Sequence, residues 1–148
     1  MKKIISIPPV YFFVCIFWNI ILYFLLPNFN IIPNMFSYLG LIFILLGLYL
    51  ISSSYFIFKK HNTSEKYLPS KYVVQSWVYK ISRNPMYLWW LIFLLWFAVL
   101  LKNMIGLFSP VIFFLVINNM FIPYEEDKME KELWEKYLKY KAKVRRWL

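Results

Sequence analysis

The sequence predicts an all-α integral membrane protein, with about four transmembrane helices and a C-terminal amphipathic helix at the cytoplasmic face. Three observations predict it. The first is composition: 61% of the 148 residues are hydrophobic and only 16% are charged, against about 45–50% and about 25% in a soluble domain. A soluble core of this size does not absorb that excess, so lipid has to cover much of the surface. The second is that the apolar residues fall into four long uncharged runs, and about 20 residues cross a hydrocarbon core of ~30 Å. The third is that the basic residues flank these runs and do not line one soluble face. This placement argues against a nucleic-acid partner for a chain of net charge +10 and for anionic lipid headgroups instead.

The elements follow in order within a single domain, residues 1–148. Lys2, Lys3 and the pair Pro8-Pro9 precede a first span over about 10–26. Its basic start resembles a signal peptide. No small-residue cleavage pattern follows, and the run exceeds the usual apolar stretch of ~7–15 residues. Asn19 inside it is placed to bond a neighbouring helix. Cys15 is the single cysteine, so no internal disulfide or cysteine metal site forms. After an uncharged turn, a second span covers about 36–58, with Gly40 and Gly47 on one face for close helix approach.

Residues 59–84 form the longest polar segment, and its His61 is the sole histidine. With no second ligand nearby, no metal is expected. A third span covers about 86–101 and a fourth about 105–122, joined by the tight turn Lys102-Asn103-Met104. The amphipathic helix covers about 124–143. Met129, Leu133, Tyr137, Tyr140 and Val144 repeat along one face of it. Asp127–Lys131, Glu132–Lys136 and Glu135–Lys139 are acid-then-base pairs at i,i+4. The tail VRRWL ends in a Trp suited to the membrane interface. Four spans put the N-terminus, the 59–84 segment and the C-terminus on one side, and that side holds all Lys and Arg except Lys102, 16 of 17. The positive-inside bias makes that side cytoplasmic.

The chemistry concentrates in YKISRNPMYL, residues 79–88, the densest polar patch in the apolar chain. Asn84 precedes a proline, which pushes its backbone out of the helical region. Pro85 suits the first turn of a helix. The stretch therefore reads as a loop turning sharply into a helix, whose first N–H groups favour a carboxylate or phosphate. A charged cap that only orients the span fits the same residues.

YKISRNPMYL, followed after one helical hairpin by PYEEDKMEKELWEKYLKYKAKVRRWL, resembles the isoprenylcysteine carboxyl methyltransferase family and the wider group that includes phospholipid methyltransferases. The resemblance covers most of the chain: the second span, the region of Thr63 and Pro69, and everything from Val73 to the C-terminus. It implies an integral membrane enzyme using S-adenosyl-L-methionine. The cofactor-contacting residues it implies are Lys71, Tyr72, Val73, Val74, Tyr79, Asn84, Pro85, Met86, Tyr87 and Glu125, with Thr63 as a further polar contact. Many members carry His where this chain has Asn84. Phe121 stands where the eukaryotic enzymes help to hold the prenylcysteine, which counts against a prenylated-protein acceptor. Trp77, Trp89 and Trp134 stand where the family commonly has Gly, adding bulk where glycine permits close approach or positive φ.

The function expected is methyl transfer to a lipid or apolar small-molecule acceptor at the cytoplasmic face. Methyl transfer from a sulfonium is an in-line displacement that rests mostly on holding donor and acceptor aligned. Arg83 and Glu126 are the candidate catalytic residues. Arg83, with Arg145 or Arg146, is suited to grip an anionic acceptor group bidentately, and Glu126 neighbours Glu125 in the cradle for the donor. A carboxylate acceptor is already nucleophilic, whereas an amine or thiol has to lose a proton. Two other readings stand beside this one. One is a catalytically silent membrane protein of the same fold, on the strength of the three tryptophans. The other is a membrane reductase of related architecture, although no Gly-rich dinucleotide fingerprint is present.

Overall fold

Apolar sequence that leaves no room for turns folds into long helices, and every regular element among the described residues is helical. The computed structural model describes residues 7–60 and 77–148. Lys71, Tyr72, Val73, Val74, Thr63 and His61 lie outside them. The helices are α1 (Pro8–Leu25), α2 (Asn34–Lys60), α3 (Pro85–Leu100), α4 (Phe108–Val116) and α5 (Ile122–Lys143). Short 3-10 turns sit at Pro27–Phe29, Trp77–Lys80 and Ile105–Leu107. Two helical stretches, Pro8–Leu25 and Ile105–Lys143, are long and apolar enough to cross a membrane, and Asn34–Tyr49 and Pro85–Leu100 are shorter apolar helices.

The two long elements packed most closely are α2 and α3. A Cβ on Gly40 would come within 3.1 Å of the Trp96 carbonyl oxygen, tighter than most side chains sit, so glycine eases the close approach of the two backbones. Phe43 stacks on Trp96 beside it, ring centroids 4.3 Å apart. On the other face of α3, Tyr87, Trp90 and Leu94 join Phe12 and Cys15 of α1 and Phe113 of α4 in the core. Asn19 is fully buried in α1. Its amide donates to the Ser109 hydroxyl at 2.7 Å, at the start of α4, and to the Cys15 carbonyl at 2.8 Å. The bond to a neighbouring helix that its position called for is thus made.

The loops at the far end are stitched together. Asn103 donates to Asn30 Oδ1 at 2.9 Å and accepts from the Gly106 N–H at 2.9 Å. Lys102 takes φ 61° to make this turn.

The fourth apolar run does not stop at Pro123. Helix continues from Ile105 to Lys143 through a π turn at Ile117–Phe121, with Pro123 in the first turn of α5. A proline inside a helix has no N–H to give and crowds the carbonyl four residues back. Widening the preceding turn accommodates the ring, and such π turns occur often at functional sites.

The real break comes later. Trp134 has φ 28° and ψ −102°, a kink that splits α5. Beyond it, Tyr137, Tyr140 and Val144 are buried together, packed by Met129 and Leu133. Of the expected i,i+4 pairs, Lys131–Asp127 (2.6 Å) and Lys139–Glu135 (2.7 Å) form, while Glu132 takes Lys128 at 3.8 Å.

Candidate functional site

The site assembles where three pieces meet: the loop entering α3, the first turn of α5, and the tail after α5. Proline dictates the first piece. Asn84 is held at φ −125°, ψ 54°, outside the helical region, and Pro85 opens α3. The Asn84 side chain does not cap that helix. It turns away and donates to the Arg146 carbonyl at 3.0 Å. Ser82, buried just before, donates its hydroxyl to the same carbonyl at 3.2 Å and accepts the Asn84 N–H at 3.1 Å. The Arg83 N–H reaches the Arg145 carbonyl at 3.0 Å. The tail is therefore bound edge-on to the loop by its backbone.

Two carboxylates of α5 face this assembly in different ways. Glu125 accepts the Tyr87 hydroxyl at 2.6 Å, which ties α5 to the first turn of α3. Tyr87 is buried against Trp90, centroids 5.7 Å apart, so its ring is fixed and its hydroxyl is aimed. Glu126 is buried and sits among cations. Arg146 grips it with Nη2 at 2.7 Å and Nε at 3.2 Å, Arg83 Nη2 lies at 3.2 Å, and Lys141 lies at 3.9 Å. The bond to Glu126 raises the affinity of Arg146 for its proton. Arg83 Nε and Nη1 are buried with no hydrogen-bond partner among the described residues.

The tail is also anchored by its last aromatic residue. Trp147, expected at the membrane interface, packs on Phe114 at 5.1 Å and donates its indole N–H to Asn118 in the π turn at 3.1 Å. Tyr140 donates to the Tyr79 carbonyl at 2.7 Å, and burial pushes the hydroxyl of Tyr140 above its ordinary range. Trp89 is half-buried, and its indole N–H has no partner among the described residues. Its carbonyl faces Gly47 of α2. Trp90, next along the helix, belongs to the core and its ring touches that of Tyr87.

Of the residues singled out from sequence, Arg83, Asn84, Pro85, Met86, Tyr87, Glu125 and Glu126 come together at one end of the helices. Tyr79 joins them through Tyr140. The structure brings in three that sequence reasoning did not assign: Ser82, Tyr140 and the carbonyl of Arg146. Ser82 carried a signal, because a serine two residues before an Asn-Pro step suits a side-chain-bonded turn. The carbonyl of Arg146 carried none, since it belongs to no motif.

A family model described as phospholipid methyltransferase matches residues 35–136, more than half of the chain and all of α3, α4 and the first part of α5. The chain belongs to the phospholipid methyltransferase family. Within this family member, the match spans the Tyr87–Glu125 and Arg83–Glu126 contacts and ends before the tail that closes on them. The chain is also 43% identical over 63 residues to an uncharacterized protein of Haemophilus influenzae, covering 43% of this chain and 100% of that protein. No solved structure matches significantly.

The residues at this end fit the methyl donor that such a family uses. S-adenosyl-L-methionine carries an ammonium and a sulfonium, which call for carboxylates, and a carboxylate, which calls for donors. Glu125 would answer the first, and the N–H groups at the start of α3 would answer the second. Among the described residues no group of three His, Cys, Asp or Glu is placed to hold a metal ion.

Proposed function

We propose that this chain is an S-adenosyl-L-methionine-dependent methyltransferase of the membrane, acting on a lipid or apolar small-molecule acceptor at the cytoplasmic face. The observation that carries the reading is the Tyr87–Glu125 hydrogen bond across α3 and α5, inside a region matched by a phospholipid methyltransferase family model. The topology proposed with it has four spans, both termini in the cytoplasm and α5 continuing out along the inner membrane face. The flanking charge supports it, because 16 of 17 Lys and Arg then lie on one side.

The bound cofactor would supply an electrophilic methyl group on sulfur. The chain's own residues do the rest. Glu125, oriented by Tyr87, faces the cationic part of the donor. The N–H groups at the start of α3 favour its carboxylate. Tyr79, Asn84, Pro85 and Met86 shape the wall; Lys71, Tyr72, Val73 and Val74, which the family resemblance adds to the cofactor contacts, lie outside the described residues. Arg83 and Glu126 form the polar floor beside the acceptor. Alignment of donor and acceptor at this rim, away from bulk water, accounts for several kcal/mol of barrier lowering.

Titration of S-adenosyl-L-methionine into the purified, detergent-solubilised protein tests the reading. Saturable binding that Glu125→Ala abolishes supports it. No binding by a folded protein rejects the enzyme and leaves the silent membrane protein. Incubation of lipid extracts with labelled donor then identifies the acceptor.

A further inference from the structure

We infer that Arg83 is the receptor of an oxyanion, a carboxylate or a phosphate, brought by one of the two substrates. The Arg83 side chain is 9% exposed. Its only ion pair among the described residues uses one nitrogen, Nη2, on Glu126 at 3.2 Å. Nε and Nη1 are buried and make no hydrogen bond among the described residues. Burying a charged donor without a partner is costly, and a guanidinium offers a rigid fork matched to two oxygens of an anion.

Charge points the same way. The buried Glu126 is shared by Arg83, Arg146 and Lys141, and among the described residues only Lys141 has a second carboxylate, Glu130. Among the described residues one positive charge is left over, and of the three cations Arg83 is the one whose unpartnered donors are buried. The open start of α3, whose Asn84 gives it no side-chain cap, lies two residues along and favours the same sign.

This inference rests on reading this end of the helices as the substrate site. It names the chemistry that Arg83 recognises and leaves two sources for the oxyanion: the carboxylate of the donor, or the phosphate of a glycerophospholipid acceptor.

The test is calorimetric titration of the full-length solubilised protein with two pairs of ligands. One pair is S-adenosyl-L-methionine and its decarboxylated form. The other is a short-chain glycerophospholipid and the diacylglycerol of the same chains. Wild type is compared with Arg83→Gln and Arg83→Lys. In wild type, one pair should differ by about tenfold to a hundredfold in favour of the anionic member, the size of hydrogen bonds to a charged group. The pair that differs names the source. In Arg83→Gln that ratio should collapse toward one.

Arg83→Lys keeps a cation beside Glu126 and so guards against a failure to fold. It should lose most of the ratio, because an ammonium lacks the fork. An unchanged ratio in either folded variant overturns the inference, as does equal affinity within both pairs in wild type. Failure of S-adenosyl-L-methionine to bind wild type at all rejects the methyltransferase reading alone. The phospholipid pair then still decides on Arg83.

Discussion

The Tyr87 hydroxyl donates to Glu125 Oε1 at 2.6 Å, joining two residues that stand 38 positions apart on different helices. The bond fixes the carboxylate in place. Tyr87→Phe should therefore leave the fold intact, since the ring still packs on Trp90, and should weaken binding of S-adenosyl-L-methionine about tenfold through loss of a charge-assisted bond. Calorimetric titration beside a melting curve separates the two effects. An unaltered affinity would remove Tyr87 from the donor site.

Glu126 is predicted to matter more for folding than for binding. It is buried and holds Arg83 and Arg146 together. Removing one partner of a buried charge cluster strands the others, at about 3–5 kcal/mol. Glu126→Ala should show that loss in denaturant unfolding of the solubilised protein. A change below about 1 kcal/mol would place the cluster with exposed ion pairs.

Trp134 holds a backbone conformation suited to glycine, φ 28°, with its ring exposed. Strain at such a residue is about 1–3 kcal/mol, and glycine in a helix loses about 1 kcal/mol against alanine. Trp134→Gly is expected to raise stability by roughly 1 kcal/mol, the difference of these two effects. Trp134→Ala keeps a Cβ and should not gain. A lower melting temperature for the glycine variant would contradict the kink.

Gly106 and Asn19 should prove coupled. A Cβ on Gly106 would lie 2.3 Å from Asn19 Oδ1, while the Asn19 amide is committed to Ser109 and Cys15. Gly106→Ala should cost about 1–3 kcal/mol by overpacking. The same change made in an Asn19→Ala background should cost much less, and a double-mutant cycle measures the difference. Additive losses would mean that the two residues do not meet.

Alkaline pH should loosen the C-terminal half of α5. Burial first, then the negative charge of Glu126, pushes the Tyr137 hydroxyl up to about 12 from an ordinary value of 10.0. The folded form keeps its proton where the unfolded chain would lose it. The stability this contributes is present below pH 10 and is lost as pH rises toward about 12. Tyr137→Phe should flatten that decline in melting curves taken from pH 9 to about 12. A decline as steep as wild type would assign it to other groups.

Several features could be read before any contact was known. Helical class, the bend into α3 at Asn84-Pro85, the face formed by Met129, Leu133, Tyr137, Tyr140 and Val144, and the family itself all depend on local information. They follow from the residues a helix can accommodate, the spacing of apolar side chains, and, for the family, a set of short motifs read together: RNPMY, the Glu125-Glu126 pair and the C-terminal tail. Even the kink at Trp134 had a trace, because the family commonly has glycine there.

What only the tertiary structure decided is who meets whom. The Glu132 partner moved to Lys128, Trp147 was drawn onto Phe114, helix ran on through Pro123, and Asn84 turned toward the Arg146 carbonyl. Each outcome depends on which surfaces lie within about 3 Å once the helices have packed, the range over which a hydrogen bond operates. Periodicity along a chain reports which face a residue occupies and never what stands opposite it. Arg83, Asn84, Tyr87, Glu125 and Glu126 were therefore legible as chemistry, and their arrangement around one buried carboxylate was not.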